Sequence, residues 1–260
     1  MKNIVPLLTA VILAAGGAGL SHAADDLTVI SNVTTNGKPS GTETNYISSE
    51  HIRTSHSQGT EMIIDLKSGV MTNINDKNKT YFLVTKQDMQ DMQAKLVERM
   101  NDPRMKQAMA AMQGMTAEMS SSAEVKKTGV TRKVAGFGCD EWVITMSSLM
   151  TMTECVTSDF KYPVESLQAM AEFGESMRKS MSGFGPSAKS GAELAEKLKG
   201  IKGYPVATST TIDAGITKTT TAMEVTEVRH QPIPASTWEA PAGFSKVDNP
   251  MLKGLQEHGR

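Results

Sequence analysis

From Leu27 to Val84 the chain alternates short β-branched and aromatic runs with punctuation by Gly, Asn, Asp, Lys and Pro. DLTVISNVTT, TETNYIS, HIRTSH, TEMIIDL, VMTNIN and TYFLV are set apart by NGKPSG, SQG, KSG and DKNK. This pattern predicts about six short antiparallel strands joined as a meander. Within Thr60–Asp65, Met62 and Ile64 share one face while Glu61 takes the other, so one face of the sheet is expected to stay wet.

The period changes at Lys86. Met89, Met92, Leu96 and Met100 recur at spacings of three and four, which predicts an amphipathic helix. Asn101-Asp102-Pro103 stops that helix and restarts another, with Pro103 suited to a first turn. A second stripe then runs through Met105, Met109, Met112, Met115 or Thr116, and Met119. Gly114 weakens this second helix. Strand patterning returns at Val125 and continues through CDEWVITMS and MTMTECVTS. A further helical block opens at Pro163, with Val164, Leu167, Met170, Met177 and Met181 on one face and Glu165, Glu172, Glu175, Arg178 and Lys179 on the other. Ser190 and Glu193 make a capping box for a short helix to Lys199, which Gly200 and Gly203 end. YPVATSTTID and ITKTTTAMEVTEVRH form the last strand pair, turning at Asp213-Ala214-Gly215. The closing PIPASTWEAPAGFSKVDNP is loop-like, with Trp238 and Phe244 available for packing, and residues 251–260 read as a flexible tail.

The sum is an α+β chain: one antiparallel sheet of about ten or eleven strands with helical inserts near 86–120 and 163–200. A half-wet sheet and greasy-faced helices satisfy each other by packing. The economical arrangement is a single curved sheet with helices laid into its concave face.

The first 23 residues change the compartment. Lys2, an apolar run from Ile4 to Leu20, and small residues at Ser21 and Ala23 read as a cleaved signal peptide ending before Ala24. The run is short and rich in Gly and Ala for a permanent membrane anchor, so the chain is expected in the periplasm or secreted. Residues 24–250 then form a single domain. The 27 basic residues less Lys2 leave 26 against 28 acidic ones, which gives no sign of a nucleic-acid partner. Cys139 and Cys155 are an even pair in an exported chain and read as a disulfide. A hairpin centred near Ser147 puts Cys139 opposite Cys155, Trp142 opposite Met152 and Ile144 opposite Met150, so one register closes the bridge and aligns the large apolar residues. The bridge would contribute on the order of 3 kcal/mol. That register also sets Asp140 against Glu154, a like-charge pair without evident compensation.

No catalytic set emerges. His51 and His56 fall on opposite faces of a continuous strand, His230 is isolated and His258 lies in the tail. G-x-S-x-G, H-E-x-x-H and P-loop patterns are absent, and no enzyme activity or cofactor is expected. Eight methionines within residues 86–119 are the chemistry that remains. They line an apolar cavity that takes a hydrophobic ligand, or they are ordinary core in a structural or partner-binding module. The residues expected to face such a ligand are Met89, Met92, Leu96, Met100, Met105, Met109, Met112, Met170 and Met177. A Cu(I) site on Met109, Met112 and Met115 is a weaker reading, since no Cys or His stands beside them.

Several short motifs carry a resemblance. They are D-K-x-K-T-Y at Asp76–Tyr81, V-A-G-F-G-C at Val134–Cys139, T-E-C-V at Thr153–Val156, G-Y-P-V at Gly203–Val206 and W-E-A-P-A-G-F-S-K at Trp238–Lys246. With the methionine-rich insert they make the chain resemble a family of exported bacterial proteins catalogued as a domain of unknown function. That family is related in turn to the LolA-type lipoprotein carriers. The resemblance implies an open half-barrel plugged by helices, with an apolar cavity that in the carriers takes lipoprotein acyl chains. Envelope protein partners are implied as a class but not identified.

Overall fold

The computed structural model describes residues 26–101, 103, 124–146, 150–160, 196–198, 200–213, 215–250 and 252–253. Its framework is one open twelve-stranded sheet. Six strands form the expected meander: β1 (Leu27–Thr35), β2 (Lys38–Ile47), β3 (His51–His56), β4 (Thr60–Asp65), β5 (Met71–Asn75) and β6 (Thr80–Val84). After helix α1 (Lys86–Asn101) come β7 (Glu124–Val134), β8 (Phe137–Met146), β9 (Met150–Thr157), β10 (Tyr204–Asp213) and β11 (Lys218–His230). A 3-10 turn at Ala235–Trp238 and the two-residue β12 (Ser245–Lys246) complete the sequence of elements. The spatial order is β12-β6-β5-β4-β3-β2-β1-β11-β10-β9-β8-β7. All pairings are antiparallel except β12 on β6.

The described residues are thus mainly strand. Helix α1 is described to Asn101, and Pro103 is also helical. Met105, Met109, Met112, Met115, Met170 and Met177, and the Ser190–Glu193 cap, lie outside the described residues, as do the signal segment and most of the tail.

The core gathers at one end of the strands. Leu27 and Val29 on β1 are 0% exposed, and they cluster with Ile47, Val206, Val225, Val134 and the two cysteines. Phe160 closes this end, stacked on Tyr204 at 4.3 Å between centroids and tilted against Phe137. Bulges at β10 and β11 bend the strands there, and the sheet curls. Four strand steps would separate β7 from β11 by about 19 Å in a flat sheet. Yet Arg132 on β7 meets Glu224 on β11 at 3.5 Å.

The disulfide joins Cys139 to Cys155, with Cα atoms 5.3 Å apart. Its expected register is corrected by two residues. Glu141 pairs with Cys155, Trp142 with Glu154, Ile144 with Met152 and Met146 with Met150. A slip of two leaves every side chain on its face, so the apolar pattern cannot distinguish the two registers. Right-handed twist brings one diagonal of an antiparallel pair close, and the sulfurs bridge along it. The slip also removes the like-charge pair. Asp140 now faces Val156 and bonds Lys127 at 2.7 Å.

The expectation of a wet second face also needs correction for β3–β6. Arg53, on the face opposite Ile52, pairs with Glu61, and their side chains are only 13% and 10% exposed. Ile63 and Ile74 on that same face are 4% and 3% exposed. The cover is the C-terminal segment, read from sequence as loop. Arg53 Nη1 donates to Thr237 O at 2.7 Å, and Trp238 stacks on His51 at 5.3 Å. Asp26 anchors the start of this strap by accepting from Ile233 N at 2.9 Å. At the far end β12 pairs with β6, and Val247 N donates to Tyr81 O.

Candidate functional site

Across the first six strands the register places Leu27, Ile47, Ile52, Ile64, Met71 and Val84 directly opposite one another in turn. Paired residues share a face, so this is an unbroken apolar row crossing half the sheet. Its ends are shut: Leu27, Ile47 and Val84 are at most 3% exposed. Its centre, at Ile52, Ile64 and Met71, is only half-buried. One step along the strands the row becomes mixed: Val29, Asn45, Thr54, Met62, Asn73 and Phe82. One step further it is polar, and there His56 Nδ1 lies 3.3 Å from Glu43. The apolar surface is therefore a graded strip, greasy at the core end and wet at the other. The strap occupies the opposite face of β3–β6, which leaves this face as the one on which something else can lie.

Helix α1 leaves from the shut end of the row. Thr85 caps it reciprocally with Asp88: Asp88 N donates to Thr85 Oγ1 at 3.1 Å, and Thr85 N and Oγ1 donate to Asp88 Oδ2 at 2.7 and 2.9 Å. This is a capping box with Asp in place of the usual Glu or Gln, a signal legible in T-K-Q-D but not used in the sequence reading. Met89 and Met92 lie on α1 and are half-buried; Leu96 and Met100 are further along the same helix. The remaining expected ligand-facing methionines are outside the described residues, so their convergence on the row is not part of this geometry.

The histidines divide as expected. His51 is taken by Trp238 under the strap, and His56 faces Glu43 on the other side. Among the described residues no group of three or more His, Cys, Asp or Glu side chains could hold a metal ion. Within the same residues no helix is long and apolar enough to cross a membrane, which says nothing of strands. Burial raises the Glu154 carboxyl above its ordinary value in the middle of β9.

A second concave feature escaped the sequence reading. A groove of about 640 Å³ runs beside β7 and β8 and reaches Ser158, Gly200 and Lys202. Lys127, Arg132 and Lys133 contribute from β7, and Trp142 and Asp140 from β8. Near-zero net charge conceals such clustering, because Lys202 joins the others only through the fold.

Together these features make an open antiparallel sheet with one strapped face and one graded apolar strip. The chain belongs to the family described as Domain of unknown function (DUF4412), whose model matches residues 30–244. No curated protein matches the sequence. Among solved structures, PNGF-II is similar over 89% of this chain and 32% of its own, with 12% identity and a TM-score of 0.42. The Pseudomonas aeruginosa MucA/MucB complex is similar over 86% of this chain and 58% of the matched one, with 11% identity and a TM-score of 0.42. MucB alone gives 10% identity, 85% and 58% coverage, and a TM-score of 0.38. The chain thus spans about a third to three fifths of the length of these structures, and likeness of this degree carries no argument about activity.

Proposed function

We propose that this protein is a non-catalytic binding module outside the cytoplasm, and that its apolar strip on β1–β6 receives a hydrophobic chain. The observation that carries this reading is the row from Leu27 to Val84, shut at both ends and half-open at Ile52, Ile64 and Met71. Apolar surface confined to a strip between a core and a polar margin suits a slender ligand such as an acyl chain. Met89 and Met92, on the helix that starts at the strip's end, would supply adaptable contacts, with Met105, Met109, Met112, Met170 and Met177 extending them. In this reading the helical inserts fold into the hollow of the sheet. The resemblance to LolA-type carriers points to the same ligand class. Location outside the cytoplasm is supported by the Cys139–Cys155 bridge, since such bonds persist in oxidising compartments.

Displacement of a fluorescent fatty acid by unlabelled palmitate tests the reading. Saturable binding that weakens at least about tenfold in Ile64→Lys is expected, since a charge in the strip opposes burial. Absence of saturable binding, with no lipid co-purifying in native mass spectrometry, would overturn it. A second reading, a module that binds an apolar segment of an envelope protein, draws on the same strip. It draws on the half-burial of Ile52, Ile64 and Met71, since a surface partly open at its middle also suits an apolar side chain of a partner.

A further inference from the structure

We propose that the groove beside β7 and β8 is a binding site for a phosphate-class oxyanion. This inference stands apart from the apolar-strip reading and survives its failure. The groove is lined by Lys127, Lys133 and Lys202 against one carboxylate, Asp140, while Arg132 lines it from the strand but falls on the opposite face of β7. Lys127 is engaged by Asp140 at 2.7 Å and lies 5.9 Å from the Trp142 ring centroid. Arg132 reaches out to Glu224 at 3.5 Å, a contact between two exposed groups. Lys133 and Lys202 have no ion-pair partner among the described residues. Two lysines without an ion-pair partner among the described residues, lining one concave space, match a dianion, and neighbouring cations of the same sign repel unless one is bound.

Lysines on β7 also fit a simpler role, since β7 is the open edge of the sheet and charge discourages pairing with another chain. Lys202 decides against that role as the whole explanation. It lies off the edge, in the segment before β10, and is delivered to the groove by Gly203. At Gly203 φ is +129°, and a side-chain carbon there would overlap the Thr157 carbonyl oxygen. Only glycine lets this segment press against the end of β9 beside Ser158. An edge guard has no use for such a close approach. A volume of about 640 Å³ exceeds what one phosphate needs, and the Trp142 wall offers apolar surface to whatever carries the phosphate. The anion is thus either free or the headgroup of a lipid.

Calorimetry on the full chain at low salt separates these outcomes, with inorganic phosphate, decyl phosphate and decyl maltoside as probes. One-to-one binding of decyl phosphate, with or without inorganic phosphate but not of the maltoside, is expected. Phosphate and decyl phosphate binding alike would mark a free oxyanion; decyl phosphate alone would mark a lipid headgroup. Lys133→Glu with Lys202→Glu, both exposed substitutions, should weaken binding at least about tenfold. Asp140→Asn releases Lys127 and should tighten it about threefold, a gain that misfolding cannot imitate. Failure of both phosphate probes to bind, or binding indifferent to all these substitutions, overturns the proposal.

Discussion

The two halves of the sheet solve the same problem by different means. In β1–β6 the strands are short, their mutual registers are regular beyond the β1–β2 bulge, and a single apolar row runs through all six. In β8–β11 the corresponding kind of row is hydroxylic: Thr145, Thr151, Thr211 and Thr220 stand opposite one another in turn. Thr211 and Thr220 bond through their side chains at 2.9 Å. The first half is held by burial under its own C-terminal strap. The second half contributes Val134, Val206, Val225 and Phe160 to the shared core and adds a covalent bridge and polar contacts reaching across strands, among them Arg132 to Glu224. Apolar surface is left partly open in the strapped half, and charge gathers along the β7–β8 edge of the bridged half. The two candidate sites follow that division.

The disulfide is the sharpest point at which to break the comparison. Cys139→Ala with Cys155→Ala should lower unfolding free energy by about 3 kcal/mol. Urea titration reads the loss, and hydrogen exchange should place it in β7–β10 before β3–β6. Uniform loosening of both halves would show that they are not separately supported. Gly203→Ala comes next, at about 2–3 kcal/mol, because it forces a side chain into a backbone conformation L residues avoid and against Thr157. Trp238→Ala should cost about 2 kcal/mol by opening the strap over Ile63, and here the exchange should quicken in β3–β5 instead. Thr85→Ala removes the reciprocal cap of α1 and should cost about 1 kcal/mol, visible as lost helical signal without change in the sheet.

The smallest effect is electrostatic. Burial raises the Glu154 carboxyl above its ordinary 4.5, so the native state holds that proton more tightly than the unfolded chain does. Its contribution to stability is full below 4.5 and is lost as pH rises through the higher native value. Urea midpoints measured upward from about pH 4 should therefore decline less steeply in Glu154→Gln than in the parent. An identical slope in the two proteins would place the titration elsewhere.

What could be read from the chain beforehand was local. Strands bounded by Gly, Asn and Asp, the span Tyr204–Asp213, the helix after Thr85 and the cysteine pairing all leave marks within a few residues of themselves. The register of Trp142 against Glu154 left none, because periodicity of two is blind to a slip of two. The strap left none either: Trp238 packs on His51 from a segment with no repeating pattern, and β12 is two residues long. Of the expected ligand-facing methionines, Met89 and Met92 are half-buried on α1, and the apolar row of β1–β6 is one that sequence periodicity could not align. That row exists only once six registers are known together. The groove beside β7 and β8 was illegible for the same reason, since Lys202 and Lys133 come to line one space only through strand pairing and the Gly203 approach.

The place of β1 has a consequence for the order of events in making this protein. The strand nearest the start of the chain sits between β2 and β11, so half of its hydrogen bonds go to residues about 200 positions later. A polypeptide delivered N-terminus first, from a ribosome or through a membrane pore, cannot finish its most central pairing until residues 218–230 have emerged. Contacts this distant in sequence close slowly. The early meander must therefore wait with one flank unpaired, a nascent form kept from premature completion by topology alone.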